Sequence, residues 1–213
     1  MDNISIIIRN RNENEYIGFA IQSCLDHFNK PEIIVVDNNS TDDSLETVNL
    51  FKDRTAIKVI PINDYTPGKS INLGVKHATK DIILVLSAHS QITKVDLRAI
   101  KNDLSRGVAV FGQQTPIYKG KKISKRYIWS HFREDRIINM FSQIENRYFL
   151  HNAFCFYNKQ FLLDNPMPEI YSTKEDRYWA ADIVSKGYNY YYDPVHTINH
   201  FYTANGATWK GIG

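Results

Sequence analysis

The chain has 213 residues, of which 43% are hydrophobic and 23% charged, an ordinary globular balance that fits one domain with a sizeable core and excludes wholesale disorder. Its two cysteines, Cys24 and Cys155, each lie in an apolar run, which excludes a disulfide framework and suits a reducing, cytoplasmic setting. The net charge of +3 is local: Lys119, Lys121, Lys122, Lys125 and Arg126 crowd into eight residues, and without those five the chain stands at −2, which argues against a nucleic-acid partner. No apolar stretch approaches the roughly 18 residues of a membrane span. Thirteen Tyr, eleven Phe and three Trp are many for this length and suit stacking on sugars and bases as well as packing.

Strands and helices alternate through residue 112, the pattern of a mostly parallel sheet covered on both faces, an α/β fold of Rossmann-like type. Residues 4–8 are a short apolar strand. From Glu15, Ile17, Ala20, Ile21, Cys24, Leu25 and Phe28 fall at helical spacing. Residues 33–36 form a second buried strand ending at Asp37, and Ser40 and Thr41 before Asp42 and Asp43 are a helix-start signal. A third strand over 56–62 leads to a loop with Pro67 and Gly68, then to a helix through Ile71, Val75 and Ala78. Residues 82–86 read as a central strand. Thr93 with Asp96 resembles a capping box, Gly107 a helix stop, and 108–111 a further strand. Beyond Gly112 the pattern predicts a polar, basic loop over 113–126 and one or two helices over 127–148. A strand at 152–157, a helix over 173–186 and a last strand at 188–192 follow. The division expected is one domain over 1–213 in two halves, 1–112 and 113–213.

Ligands of open α/β sheets bind outside the carboxyl ends of the strands. The polar residues expected there are 9–13 after the first strand, 37–40 after the second, Lys69 and Asn72 after the third, and 87–90 after the fourth. No G-x-G-x-x-G or Walker sequence occurs, which argues against a dinucleotide oxidoreductase or a P-loop enzyme.

I-I-I-R-N-R-N-E-N-E at 6–15, P-E-I-I-V-V-D-N-N-S-T-D at 31–42, G-K-S-I-N-L-G at 68–74 and D-I-I-L-V-L-S-A-H-S at 81–90 closely resemble glycosyltransferase family 2 in order and spacing. The likeness continues through E-D-R-Y-W at 175–179, G-Y at 187–188 and I-N-H at 198–200. It implies a GT-A fold and an inverting transfer of a sugar from a nucleoside-diphosphate sugar to a glycan or lipid-linked glycan acceptor, in bacterial surface polysaccharide synthesis. By that resemblance Asn10, Arg11, Glu13 and Asp37 line the nucleoside pocket; by residue type alone Asp37 is equally an Asx-turn former. Lys69 approaches the diphosphate from a helix start and Asn72 fixes that loop.

Ser87-Ala88-His89 replaces the family's commoner Asp-x-Asp, as in its rhamnosyltransferase-like members. His89, with Ser87 beside it, could meet the diphosphate directly, bind Mn2+ or Mg2+ together with His200, or cap the strand. The resemblance makes Asp176, of the Glu175-Asp176 pair, the general base, although Thr173 and Asp176 also have capping-box spacing. Trp179, three positions on, floors the acceptor pocket or packs in the core. The 119–126 run could steer an anionic acceptor or hold an anionic membrane's inner face, but is more often a solvated loop.

Two rivals remain at this level. A sugar-nucleotide pyrophosphorylase needs a Gly-rich first loop that is replaced here by Arg-Asn-Arg-Asn-Glu. A catalytically silent binding module is what a missing Asp-x-Asp would leave. The chain ends soon after His200, short for the family.

Overall fold

The computed structural model describes residues 2–204, 206 and 209. β1 (Ile4–Asn10), α1 (Asn14–His27), β2 (Glu32–Asp37), α2 (Ser44–Asn49), β3 (Ile57–Pro61), α3 (Pro67–His77) and β4 (Ile82–Ser87) alternate along the first part of the chain. β5 (Ser90–Lys94), α4 (Leu97–Leu104), β6 (Ala109–Tyr118), β7 (Lys121–Lys122) and a 3-10 turn, Tyr127–His131, come next. They are followed by β8 (Ile137–Ile138), β9 (Phe141–Ser142), β10 (Arg147–Tyr148), β11 (Phe154–Asn158), α5 (Lys159–Asp164), α6 (Glu175–Ser185) and β12 (Tyr190–Phe201).

One sheet runs in the order β3-β2-β1-β4-β11-β6-β12-β5, with β7 on β6 and β8 on β12. β1, β2, β3 and β4 are mutually parallel and β6 is parallel to β12, while β11 is antiparallel to both its neighbours. The expected α/β architecture, a mostly parallel sheet between helices, is therefore present. The Ile and Val runs of β1, β2 and β4 are buried on both faces because helices cover both. Ile7, Ile34, Val36, Ile83 and Val85 join α3 and α6 in one core. Ile6, Ile8, Ile33, Val35, Leu84 and Leu86, their alternating neighbours, join α1 in the other.

Several sequence expectations are corrected. Residues 113–118 are not loop but the continuation of β6, which turns through Lys119 (φ 47°) and Gly120 (φ 75°) into β7. Two successive positive φ values make the two-residue turn whose twist suits a hairpin. Residues 127–148 hold a 3-10 turn and three two-residue strands instead of helices; Trp129, Phe132 and Met140 join the core, while Ile138, Phe141 and Ile144 are exposed. Thr93 lies in β5, and Asp96 is itself the cap of α4, accepting from the backbone N–H of Arg98 and Ala99. The last strand is twelve residues long, because a register shift between Asp193 and Thr197, beside Pro194, lets it bend and continue.

Gly68 of α3 lets that helix meet the chain near residue 168: a Cβ there would lie 2.2 Å from the Pro168 carbonyl oxygen. Gly68→Ala is expected to cost about 1–3 kcal/mol of stability by overpacking. Urea unfolding checks this, and an unchanged midpoint would show that the 165–169 segment yields freely.

Candidate functional site

The carboxyl ends of β1, β2 and β4 bring the polar residues to one edge. Asn10 and Asp37 are register partners, as are Arg9 and Ser87. Asn10 Nδ2 donates to Asp37 Oδ1 at 2.8 Å, and Ser40 donates to Asp37 through its N–H (3.1 Å) and its hydroxyl (2.6 Å). The Asx-type turn is thus real, and it leaves the buried Oδ1 of Asn10 without a partner among the described residues. The loops after β1 and β2 are stitched together: Asn12 N–H donates to Ser40, Thr41 N–H to Asn12, Glu13 N–H to Ser44 and Asn14 N–H to Asp42. The Ser40-Thr41-Asp42-Asp43 signal therefore serves chiefly this junction; α2 starts later, with Asp42 accepting from Ser44. Arg11 is exposed beside this junction.

Glu13 turns toward the third loop, where its carboxylate lies 3.1 Å from His89 Nδ1. The His89 ring sits 4.9 Å from that of His200 on β12. His200 is fully buried, with Trp129 edge-on at 5.1 Å, and its Nδ1 donates to Gln114 Oε1 at 2.8 Å. Gln114 Nε2 in turn contacts His151 Nδ1 at 3.0 Å. Burial, reinforced by His89 and His151, holds the His200 pKa well below the usual value, so its ring is neutral. A neutral ring that donates from Nδ1 presents a lone pair at Nε2, and that buried atom has no partner among the described residues. No group of three or more His, Cys, Asp or Glu with metal-holding geometry occurs among those residues.

The second cluster lies at the start of α6. Glu175 and Asp176 are both buried. Glu175 accepts from Asn152 Nδ2 at 3.1 Å and from Arg9 Nη1 at 3.3 Å. Burial and the neighbouring Asp176 raise its pKa, against the pull of Arg9. Asp176 accepts from the N–H groups of Asn152 (3.0 Å) and Arg177 (2.9 Å) and from Arg177 Nη1 (2.9 Å). An ionised carboxylate has about four acceptor directions, so one remains. Thr173 plays no capping part: Lys174 is the cap residue, in the left-handed region at φ 64°, with no side-chain bond. Burial works against the charge on Arg177, but Asp176 and Glu145 outweigh it and raise its pKa.

Three expected residues have other partners in this structure. Trp179 is 2% exposed, packs edge-on against Tyr157 and donates from Nε1 to the Asn165 carbonyl, so it is core and not an acceptor floor. Lys69 pairs with Asp64 on the surface. Asn72 is buried and clasps Met167 through both its N–H and its carbonyl, so it anchors the 165–169 segment to α3. Arg177, Asn152, Gln114 and His151 were not singled out by sequence. The only signal for them was polar residues flanking apolar runs.

Burial also lowers the pKa of His151 well below its usual value. The unfolded chain takes up protons on these rings near about pH 6.5, and the folded chain resists them. Stability is then complete above that pH and lost as pH falls toward the folded values. The urea midpoint is expected to drop from about pH 6.5 to 5.5, with the slope in His200→Gln shallower by up to about 1.4 kcal/mol per pH unit. A flat midpoint across that window would contradict the neutral burial of these rings.

Residues 5–164 match the family described as Glycosyl transferase family 2. An uncharacterised glycosyltransferase of Nostoc sp. is 33% identical over 88 residues, 40% of this chain and 27% of that protein. The poly(ribitol-phosphate) beta-N-acetylglucosaminyltransferase TarS of Staphylococcus aureus is 30% identical over 103 residues, 46% of this chain and 18% of that protein. The chain thus matches about a quarter or less of these curated relatives' length. Among solved structures, TarS with UDP-GlcNAc superposes with a TM-score of 0.73 at 20% identity, over 98% of this chain and 61% of that one. GalNAc-T7 with UDP, GalNAc and Mn2+ gives 0.71 at 13% identity, over 95% and 44%. At such identities the superpositions establish the fold, GT-A. With the family match spanning most of its residues, the chain is a member of glycosyltransferase family 2.

Proposed function

We propose that this chain transfers a sugar, with inversion, from a nucleoside-diphosphate sugar to an acceptor hydroxyl in cell-surface glycan synthesis, at the cytoplasmic side. The observation that carries the reading is the convergence of the Asn10–Asp37 pair, the His89–His200 pair and the Glu175–Asp176 pair on one end of one sheet. UDP-GlcNAc in the TarS structure and UDP in that of GalNAc-T7 support a nucleoside diphosphate as the leaving group.

The nucleoside lies along the first two loops. Asp37 accepts from the base, Asn10 contributes its unpartnered oxygen, and Arg11 and Glu13 border the ring. The diphosphate lies toward Ser87, His89 and the start of α3, where Lys69 can leave Asp64 for a phosphate. His89 and His200 would hold a divalent cation. Each has its Nδ1 set against an oxygen, of Glu13 and of Gln114, which is how ligating imidazoles are oriented, and the bare Nε2 of His200 fits a metal bond. Two imidazoles suit Mn2+ better than Mg2+. When bound, such an ion neutralises charge on the departing diphosphate.

Asp176 uses its remaining acceptor direction to take the proton of the acceptor hydroxyl as that oxygen attacks the anomeric carbon. Arg177 orients Asp176, while Glu175 fixes Arg9 and Asn152 around it. Acceptor contacts fall to the surface formed by residues 113–172.

Asp176→Asn is expected to lower donor hydrolysis and transfer by about 10²–10⁴-fold with nucleotide affinity retained. Asp37→Ala is expected to abolish the rise in melting temperature that the cognate nucleoside diphosphate produces among UDP, dTDP, GDP and CDP. A shift that grows with Mn2+ and is lost in His200→Gln supports the metal assignment. Nucleotide binding with no turnover in the unaltered chain, on donor alone or with acceptors, would instead mark a silent sugar-nucleotide-binding module.

A further inference from the structure

The most basic segment of the chain has no part in the donor, metal and proton-transfer roles assigned above. No Asp or Glu occurs between Asp103 and Glu134, and inside that gap lie Lys119, Lys121, Lys122, Lys125 and Arg126. They occupy the turn and β7 strand of the β6–β7 hairpin and the irregular segment that follows it, and all five are exposed. Among the described residues the only ion pair they make is Lys125 with Glu134, at 3.9 Å. The hairpin is flanked by exposed tyrosines, Tyr118 at 39% and Tyr127 at 69%. Such charge is unfavourable to concentrate without a counter-charge, and among the described residues only Glu134 supplies one, to Lys125.

Its position is equally particular. β6 runs parallel to β4, so its far end lies at the edge that carries the candidate site. Pro116 and Ile117 are the register partners of His200 and Phe201, and Phe201 N–H donates to the carbonyl of His89. Tyr118 stands edge-on to Tyr202 at 4.8 Å. On the other side of the same strand end, Phe201 stacks on Tyr16 at 5.1 Å and meets Phe19, which is 53% exposed. The hairpin and these rings thus border the site with cations and exposed aromatic groups together.

We propose that the β6–β7 hairpin docks the chain on an anionic lipid surface, with the end of the sheet that carries His89 and His200 turned toward that surface. A projecting tip of five cations fits the negative headgroup layer, where each lysine or arginine strengthens binding about fivefold. Tyrosine rings are at home at the headgroup level, with an apolar body and a polar tip. The exposed Phe19 has no use for a phosphate polymer but gains by leaving water at a lipid interface. A polyanionic chain would call for a groove, and this feature is an exposed two-stranded hairpin. The docking does not depend on which reaction the site performs; together with the transfer reading, it would bring a lipid-anchored acceptor to Asp176.

The test is co-sedimentation of the full chain with vesicles of phosphatidylcholine alone or mixed with phosphatidylglycerol, at about 0.15 M ionic strength, where screening sets in beyond about 8 Å. The expected result is binding to the mixed vesicles only, weakened by added salt. Combining Lys119→Gln, Lys121→Gln, Lys122→Gln and Arg126→Gln is expected to lower the partition coefficient about a hundredfold or more, with melting temperature unchanged. Pairing Tyr118→Ser with Tyr127→Ser is expected to weaken binding less, with its salt dependence kept. Equal binding to both vesicles, or quadruple-variant binding like that of the unaltered chain, would overturn the proposal. So would indifference to lipid combined with hairpin-dependent binding of long-chain polyphosphate, which would point to a soluble polyanion. Vesicle binding without donor hydrolysis would count against the transfer reading and leave the docking intact.

Discussion

The need to pair buried charge governs the end of this molecule that carries Glu175 and Asp176. Arg177 is almost wholly enclosed, stacked over Phe149 at 4.2 Å, and a guanidinium in that setting is tolerated only where carboxylates and carbonyls surround it. Asp176, Glu145 and the Leu150 carbonyl do so, and in satisfying Arg177 they fix the start of α6 against the segment before β11. Arg9 does the same from the opposite side through Glu175. The carboxylate pair is held by electrostatics in the protein interior and not by a helix cap, which is why a left-handed Lys174 can stand where a capping side chain would be expected.

A different physical device holds the end around Asp37. There the loops after β1 and β2 are fastened by short side chains that accept or donate to backbone N–H groups, with Asp37, Ser40 and Asn12 each serving the neighbouring turn. Between the two ends stands a line of imidazoles bridged by Gln114, neutral where it is most buried. Three chemistries, hydrogen-bonding turns, neutral nitrogen donors and paired carboxylates, therefore occupy successive positions along one sheet edge. A sugar nucleotide, with its base, diphosphate and sugar in sequence, has a matching order of needs.

The first half of this arrangement was legible in sequence because its strands are continuous Ile and Val runs and its helices are amphipathic. Each signal there is local, and Asn10, Asp37 and His89 follow as the residues at strand ends. The second half was legible only in part. Residues 113–148 owe their conformation to partners far along the chain: β6 extends to Tyr118 because β12 lies beside it, and β8 exists only as an addition to Tyr191 and Tyr192. Neither periodicity nor turn residues report such pairing. Trp179 illustrates the same limit at a single position, since spacing from Asp176 could not show that Tyr157 and Asn165 enclose the ring. Arg177 could be seen beside the acidic pair, but its role depends on Leu150 and Glu145.

The bend in β12 has a consequence for how this chain can vary. The strand spends its first residues in the core, beside β8, and its last ones at the functional edge, with the irregular step at Asp193–Thr197 between. Because side chains alternate along a strand, removing or adding one residue in that step would turn His200 away from Gln114 and bring Asn199 or Phe201 into its place. The length of the 193–200 segment is thus under tighter constraint than its composition. Insertions should be borne easily at Lys119–Gly120, where a hairpin ends in solvent, and hardly at all here. In a set of natural variants, the spacing from Tyr192 to His200 is the feature to hold fixed when deciding which sequences retain this site.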